Sequence, residues 1–309
     1  MTELRTKTAQ AIARIEAAYE IAEQRGERLV VAYSGGKDSD VLLDLALKSE
    51  VPILVQHNHT TVDAPETVYH IREVFARLDA LGVATEINFP PDFTMPDGTV
   101  RRTSMWNLIV KKGMPPTQMV RYCCEVFKER NFDGQHIMTG VRWEESPKRS
   151  NRGLHEAITK KAADRVVYVD ENDDEHKLQD ICFRHKRIVT NPIIDWSDAD
   201  VWLYVRSEKL KMNPLYGLGH KRVGCVACPM AGRKQQELEF RLYPTYKAAY
   251  IRAFDKMLKV REARGLPPAS GFWADGQGVF DWWVGRLKAS ADDAWPGQTT
   301  FFDDEEEPQ

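Results

Sequence analysis

The chain has 309 residues, of which 42% are hydrophobic, 10% aromatic and 29% charged. These proportions are those of a folded globular protein and exclude a disordered, collagenous or fibrous chain. The longest apolar runs, such as residues 29–33, have the length of a strand, whereas a helix that crosses a bilayer needs about 20 apolar residues. We therefore expect no membrane span, and the charged N-terminus without an apolar signal core predicts a cytoplasmic location.

The net charge of −3 does not mark the chain as a nucleic-acid binder. The charges are nevertheless unevenly distributed: residues 101–165 hold 14 Lys and Arg against 7 Asp and Glu, and residues 291–309 hold 7 acidic residues and no Lys or Arg. The basic region 101–165 fits contact with phosphates or with a polynucleotide backbone. It fits equally well an ordinary solvated surface with cations at helix ends. Both interpretations stay open at this point.

The first part of the chain alternates between helical and strand-like patterns. Its predicted elements, in chain order, are a helix over 3–25, a strand over 28–33, a helix over 40–49, a strand over 53–57, a helix over 65–80 and a strand over 84–89. Strands that alternate with helices predict an α/β fold with a doubly wound, mostly parallel sheet. Such a sheet binds ligands beyond the carboxyl ends of its strands.

The second part of the chain is less regular. Its predicted elements are a loop over 90–102, a strand over 136–138, a charged loop over 170–175, a strand over 181–183, and a helical stretch over 234–264 that Pro244 interrupts. Aromatic residues recur at helical spacing in that stretch, and we expect them to pack as core. Those over 272–283 either cover a ligand site, stack on a base or close the core, and we favour the core. The acidic residues from 292 onward predict a mobile tail.

A glycine-rich turn joins the first predicted strand to the next helix. We call it the glycine turn, and it consists of Ser34, Gly35, Gly36, Lys37, Asp38 and Ser39. Backbone N–H groups at such a turn, together with the positive end of the helix, form a cradle for anions. The spacing fits neither a Walker A loop nor a Gly-x-Gly-x-x-Gly dinucleotide turn. A tight connection without a ligand can have two glycines as well, but the flanking serines and the Lys-Asp pair favour phosphate binding.

The glycine turn closely resembles the PP-loop of the adenine nucleotide α-hydrolase superfamily, whose members bind ATP or a related nucleotide. The segment after the second strand resembles the adenine-side segment of one branch, the phosphoadenosine phosphosulfate (PAPS) and adenylyl-sulfate (APS) reductase family. Thr60 and the Pro-Glu-Thr run 65–67 match, whereas His59 and Thr61 replace the usual Asp and Gly. The resemblance implies that Asn58 and Thr60 contact the nucleotide.

Two later segments extend the resemblance. Residues 139–146 are similar to the family's Gly-x-Arg-x-x-x-Ser loop, which implies that Gly140 and Arg142 bind phosphate or sulfate. A guanidinium group suits this role because it binds oxyanions in a planar fork. The alternative is a surface arginine beside Glu145. Residues 191–202 match the family's strand and capped helix start, with Ser197 as the predicted N-cap.

The cysteines point to a metal or redox site. Five cysteines form an odd set in a chain without an export signal, which argues against a disulfide framework. The APS reductase branch combines an adjacent cysteine pair with a distant Cys-x-x-Cys, and the resemblance implies a 4Fe-4S cluster on Cys123, Cys124, Cys225 and Cys228. A four-cysteine zinc site and unrelated buried cysteines are the alternatives. Cys182 lies in an apolar, strand-like run and is interpreted as a core residue.

Two departures from the reductase pattern shape the functional prediction. Reductases of this family use a C-terminal cysteine that attacks the sulfate sulfur, and no cysteine follows Cys228 in these 309 residues. The intact glycine turn is also closer to that of ATP-cleaving members. Both departures favour a relative, similar to the sulfurtransferases of DNA phosphorothioation and of RNA thiolation, that adenylates a substrate with ATP and Mg²⁺ and then transfers sulfur. Lys37, Asp38 and Arg142 are the predicted catalytic residues, placed at the α-phosphate.

Two other functions remain open. The first is an APS or PAPS reductase that takes its thiol from another protein, and the second is a metal-stapled nucleic-acid-binding protein that uses region 101–165. The predicted partners are an adenine nucleotide, a sulfur donor or thiol protein, and a nucleic acid if the basic region binds one; no membrane is expected, and the oligomeric state is open.

We predict a PP-loop domain with the 4Fe-4S site over 1–230, a helical extension over 231–291 and the acidic tail over 292–309.

Overall fold

The computed structural model describes residues 2–94, 98–129, 134–147, 149–157, 166–168, 188–268 and 271–286. The described residues form two compact units, one within Met1–Pro90 and Glu125–Gly224 and the other within Pro91–Cys124 and Cys225–Gln309. The predicted domain boundaries at 230 and 291 stay predictions. The charged loop 170–175, Cys182 and the acidic tail from 292 lie outside the described residues. No helix in the described part of the chain is long and apolar enough to span a membrane.

The strands and α-helices are numbered in chain order. The strands are β1 Arg28–Ala32, β2 Leu54–Asn58, β3 Ala84–Asn88, β4 Phe93–Thr94, β5 Val100–Arg101, β6 Gln135–Met138, β7 His155–Ala157, β8 Val166–Tyr168 and β9 Ile188–Thr190. The helices are α1 Thr2–Gln24, α2 Lys37–Lys48, α3 Pro65–Ala80, α4 Met105–Lys112, α5 Tyr122–Phe127, α6 Asp198–Ser207, α7 Arg233–Leu242, α8 Pro244–Ala263 and α9 Gly276–Trp283. Short 3-10 helices cover Trp143–Glu145, Pro214–Leu218 and Pro229–Ala231.

The first unit is built on a seven-stranded sheet in the order β3-β2-β1-β6-β9-β7-β8. The first five strands in that order are parallel, and β7 runs antiparallel to both of its neighbours. The prediction of a doubly wound, mostly parallel sheet is confirmed. Val30 of β1 pairs with Leu54 on one side and Ile137 on the other. The strand order reverses at β1, so the carboxyl end of β1 is the switch point where such sheets bind ligands.

The helices of the first unit pack through the faces that the periodicity predicts. α1 buries a narrow stripe of small and aliphatic residues, Ala11, Ile15, Ala18 and Ala22. α6 begins after Ser197, whose hydroxyl accepts the N–H of Asp200, so the predicted N-cap is confirmed. α2 starts at residue 37 rather than at the predicted residue 40, because Gly36 takes the N-cap position. The polar half of the glycine turn is therefore the first turn of a helix.

The second unit contains α4, α7, α8 and α9 around a cluster of aromatic rings. The ring of Tyr250 lies 4.7 Å from that of Trp283 and 4.8 Å from that of Trp106. Phe254 and Phe280 are fully buried, so the aromatic residues pack as core, as expected. α7 ends just before the predicted break at Pro244, where α8 begins. The predicted loop over 90–102 contains the short antiparallel pair β4–β5.

Candidate functional site

The glycine turn lies at the carboxyl end of β1, where backbone conformation demands glycine at its second position. Gly35 has a φ of 71°, a left-handed conformation, and a Cβ there would lie 3.1 Å from Cγ1 of Ile71. The side-chain amide of Asn213 donates to the Gly35 carbonyl at 3.0 Å and to the Thr67 hydroxyl at 3.1 Å. Thr67 belongs to the Pro-Glu-Thr run, which therefore supports the turn from α3.

Hydroxyl groups engage the N–H groups of the turn. The Ser39 hydroxyl accepts the N–H of Gly36 at 3.1 Å and that of Ser34 at 3.3 Å. The N–H of Lys37 donates to the hydroxyl of Tyr216 at 2.8 Å. Neutral hydroxyls of Ser39 and Tyr216 thus accept three N–H groups of the turn. Hydroxyl groups can rotate and exchange partners, so these donors suit an incoming phosphate oxygen.

Two buried cations and two carboxylates form what we call the charge cluster: Lys37, Asp38, Arg142 and Asp198. Lys37 Nζ lies 3.1 Å from a carboxylate oxygen of Asp38 and 2.9 Å from one of Asp198. Arg142 Nε lies 2.7 Å from Asp38, and its Nη2 lies 3.0 Å from Asp198. Each carboxylate therefore bridges both cations, and Arg142 also donates to the carbonyl of Trp196 at 3.2 Å.

Burial strengthens the electrostatic interactions within the charge cluster. Lys37 is 7% exposed and Arg142 is 2% exposed, so Arg142 is not the surface arginine of the alternative interpretation. Burial acts to raise the pKa of Asp198, but its contacts with Lys37 and Arg142 outweigh that effect and hold the pKa below its usual value. The two cations are thus held in place before any ligand binds, at the N-terminus of α2 where the helix dipole adds positive potential.

Gly140 brings the Arg142 loop against the start of α2. A Cβ at Gly140 would lie 2.8 Å from the backbone oxygen of Asp38, closer than real Cβ contacts allow. The Gly-x-Arg spacing therefore has a steric reason: the small residue permits the approach, and the arginine two positions later reaches Asp38. Gly140 and Arg142 therefore lie against Asp38 of the glycine turn.

A cavity of about 320 Å³ adjoins the same end of the sheet. It is lined by residues at the carboxyl ends of β1, β2, β6 and β9, among them the predicted contacts Ser34, Asn58 and Thr60. Lys128 and Arg152 add positive charge to its wall. The charge cluster and Gly140 are not part of that wall. The residues predicted to contact a nucleotide therefore divide between this cavity and the glycine turn with its charge cluster.

The second unit holds all four cysteines of the predicted metal site, Cys123, Cys124, Cys225 and Cys228, which we call the cysteine site. The first two lie at the start of α5, and the last two flank a turn before the 3-10 helix Pro229–Ala231. A hydrogen bond with Cys124 and burial raise the pKa of the Cys123 thiol, and the charges of the other three sulfurs raise it further. The structure thus brings together two pairs about 100 positions apart.

Three buried side chains from the C-terminal helices hold the backbone of the Cys225–Cys228 turn. Glu239 accepts the N–H of Ala227, and Gln236 donates to the Ala227 carbonyl at 3.1 Å. The hydroxyl of Tyr250 donates to the Val226 carbonyl at 3.1 Å. Ala227 has a left-handed φ of 63°, which is unusual for a residue with a Cβ. The turn is therefore fixed by residues that lie outside the cysteine motif.

Some residues of the site carry no assignment from the sequence. Asn213 and Tyr216 contact the glycine turn, and Asp198, which lies in the family-like segment 191–202, completes the charge cluster. The partners of these three residues lie more than 50 positions away along the chain, so no local pattern predicts the contacts. Glu239 and Tyr250 lie in helices with no motif at all.

The doubly wound sheet, with the glycine turn at its switch point, defines a protein of the PP-loop class. The model of the phosphoadenosine phosphosulfate reductase domain matches residues 28–231. The chain belongs to that family, as the resemblance predicts.

Curated relatives agree with this assignment. An adenosine 5'-phosphosulfate reductase of Bacillus pumilus is 25% identical over 69% of this chain and 78% of its own length. A sulfate adenylyltransferase subunit 2 of Methylobacterium nodulans is 28% identical over 62% of this chain and 58% of its own length. Two proteins of Methanocaldococcus jannaschii are 28% and 24% identical, and the match covers only 36% and 53% of their lengths.

Solved structures show weaker likeness. A phosphoadenylyl-sulfate reductase from Candida auris aligns with a TM-score of 0.38 and 19% identity, over 67% of this chain and 87% of that one. An NH3-dependent NAD synthetase from Campylobacter jejuni aligns with a TM-score of 0.39 and 10% identity, over 86% of this chain and 97% of that one. At these values the likenesses add nothing to the family assignment.

Proposed function

We propose that this chain binds an adenine nucleotide with its phosphates on the glycine turn, and that it uses ATP to adenylate a substrate before sulfur is transferred to it. The observation that carries the proposal is the charge cluster, in which Lys37 and Arg142 are buried at the N-terminus of α2. Two cations fixed beside a helix N-terminus form a site for phosphate oxygens. The adjoining cavity, with Asn58 and Thr60 on its wall, suits the base and ribose.

The chemistry follows from how charge moves in the reaction. An acceptor oxygen of the substrate attacks the α-phosphorus of ATP, the bond to the β-phosphate oxygen breaks, and pyrophosphate leaves with the electron pair. Lys37 and Arg142 stabilise the negative charge that grows on the α-phosphate oxygens. Asp38 and Asp198 hold these cations in position, and carboxylates of this kind, with phosphate oxygens, are the ligands of Mg²⁺. A sulfur nucleophile then displaces AMP from the adenylate.

The cysteine site suits a 4Fe-4S cluster. It provides four thiolates, and a 4Fe-4S cluster needs four, because each of its irons takes one thiolate. A zinc ion bound by the same four cysteines is the alternative. When bound, the cluster would supply an iron that binds sulfide or organises the sulfur donor; Cys123, Cys124, Cys225 and Cys228 would hold it.

A sulfonucleotide reductase that uses an external thiol is the second candidate. The observation in its favour is the set of relatives named adenosine 5'-phosphosulfate reductase, which match most of this chain. In that reaction a thiolate of another protein attacks the sulfur of APS or PAPS, and AMP or its 3'-phosphorylated form leaves. The two candidates share the nucleotide site and differ in the ligand that binds most tightly.

A thermal-shift panel with ATP-Mg²⁺, APS and PAPS separates the two candidates. A ligand at 100 times its Kd stabilises the native state by about 2.7 kcal/mol, so the physiological nucleotide should give the largest rise in melting temperature. Stabilisation by ATP-Mg²⁺, followed by pyrophosphate release with an acceptor, supports adenylation. Stabilisation by a sulfonucleotide alone supports the reductase, and no stabilisation by any of the three contradicts both.

The cysteine site is tested by metal content. We expect about four iron and four acid-labile sulfide per chain after anaerobic purification, with loss of both in Cys123→Ser and Cys225→Ser. Cys182→Ser is the matched control, because Cys182 is the cysteine predicted to be a core residue. Stoichiometric zinc in place of iron, or an equal loss of iron in Cys182→Ser, would contradict the assignment.

A further inference from the structure

Two histidines and an aspartate meet at the carboxyl end of β2. One ligand atom from each of His57, His59 and Asp63 lies within 4.8 Å of the other two. His57 and Asp63 are buried, and both line the cavity. We call this set the histidine–aspartate group. Two imidazole nitrogens and one carboxylate oxygen are a ligand set that divalent transition metals favour.

Hydrogen bonds fix the orientation of two members of the group. His57 Nδ1 lies 2.9 Å from the carbonyl oxygen of Tyr33. A carbonyl only accepts, so Nδ1 carries the proton and Nε2 keeps a lone pair in the neutral ring. The Asp63 carboxylate accepts the N–H of Thr60 at 2.9 Å and the Thr60 hydroxyl at 2.8 Å. Metal ligands in proteins are oriented by this kind of outer contact.

The third member, His59, reaches the carboxylate from a more exposed position. Its Nδ1 lies 3.4 Å from Asp63 Oδ2, and its ring lies 5.2 Å from that of Phe89. His57 is two positions before His59, and one nitrogen of its ring also lies within 4.8 Å of an Asp63 oxygen. Lys128, Glu129 and Arg152 also line this cavity, and with Asp63 its charged side chains sum to zero.

We infer that the histidine–aspartate group binds one divalent first-row transition ion, such as Mn²⁺, Fe²⁺ or Zn²⁺, at the wall of the cavity. Three protein ligands leave coordination positions open, as in metal sites that also bind water or a substrate oxygen. The inference does not depend on the nucleotide or on the cysteine site. Its ligands come from a segment where His59 departs from the family's usual aspartate.

Mn²⁺ is the probe that tests the site, because it prefers oxygen and nitrogen ligands and competes poorly for thiolates. The intact protein, purified with its cysteine site loaded and without nucleotide, is titrated with Mn²⁺ while free Mn²⁺ is followed by electron paramagnetic resonance. We expect one site per chain, with at least a tenfold loss of affinity in His59→Ala and in Asp63→Asn.

The matched control is Glu66→Gln, which removes a nearby carboxylate outside the group and should bind Mn²⁺ like the wild type. Thr60→Val, which removes one hydrogen bond to Asp63, should weaken binding while retaining the ligands. Circular dichroism checks that each variant is folded. Absence of binding by the folded wild type at 1 mM Mn²⁺, or undiminished binding by folded His59→Ala, would overturn the inference; neither result bears on nucleotide binding.

Discussion

The carboxylate of Glu239 offers the sharpest test of how the C-terminal helices shape the cysteine turn. Glu239 is 5% exposed on α7 and accepts the N–H of Ala227, a residue that is fully buried. The amide of Gln235 donates to its other oxygen at 2.9 Å. Glu239→Ala removes this acceptor and leaves a buried N–H group without its partner. We expect the Cys225–Cys228 turn to loosen as a result.

The expected loss of stability follows from the hydrogen bond between Glu239 and the N–H of Ala227. A hydrogen bond to a charged group stabilises a fold by about 1.5–3 kcal/mol, and a buried donor left unsatisfied costs about 1–3 kcal/mol. The left-handed φ of Ala227 also loses its support. We therefore expect Glu239→Ala to lower the free energy of unfolding by about 3 kcal/mol. Glu239→Gln retains a neutral oxygen acceptor, so its cost should be about 1 kcal/mol.

Urea denaturation gives the stability of each variant, and hydrogen exchange of the peptide containing Ala227 gives a local measure of the same turn. Glu237→Ala is the matched control, because Glu237 is exposed on the same helix. Iron retention should follow the order wild type, Glu239→Gln, Glu239→Ala. A Glu239→Ala variant as stable as Glu237→Ala, with unchanged exchange at Ala227, would refute the reasoning.

Two further predictions concern the first unit. His136 and His155 contact the Thr190 hydroxyl at 2.6 and 2.9 Å, and burial lowers their pKa values to about 3 and about 4. Both histidines are therefore neutral in the native state, whereas in the unfolded chain they bind protons below about pH 6.5. The free energy of unfolding should fall as the pH is lowered from there, by about 1.4 kcal/mol per pH unit for each histidine. Equal urea midpoints at pH 7.5 and 5 would contradict this prediction. Gly140→Ala should lower the free energy of unfolding by about 1–3 kcal/mol and weaken ATP binding, because its Cβ would collide with Asp38. Gly217→Ala is the control: no atom lies within 4 Å of a Cβ at that position, so this variant should match the wild type in both assays.

Local pattern predicts the elements of the first unit well. α1 and α3 bury the residues that recur at helical spacing, and Ser197 caps α6 because an N-cap hydroxyl has a strong local effect. The start of α2 is harder to predict, since Gly36 can end a loop or cap a helix with equal ease. The packing of residues 91–124 with the C-terminal helices has no local signal, because it depends on side chains far apart along the chain.

The candidate site also contains features that the sequence predicts and features that only the structure shows. The residues of the glycine turn are consecutive, and the cysteines form two short motifs, so both features can be recognised from the sequence. The hydrogen bond from Lys37 to Tyr216 and the ion pair of Arg142 with Asp198 join residues whose types are ordinary at their positions. Only the fold brings such residues together. His57 and His59 are two positions apart in the sequence, but only the fold shows that Asp63 approaches both of them.

The central claim is that the glycine turn, with its buried cations, holds an adenine nucleotide. Calorimetric titration of the intact protein with ATP-Mg²⁺, repeated on Lys37→Gln and on Lys48→Ala as a control on the same helix, tests it most directly. The account predicts one site per chain, at least tenfold weaker in Lys37→Gln and unchanged in Lys48→Ala. A folded wild type that binds no ATP, or a Lys37→Gln variant that binds it equally well, would contradict the account.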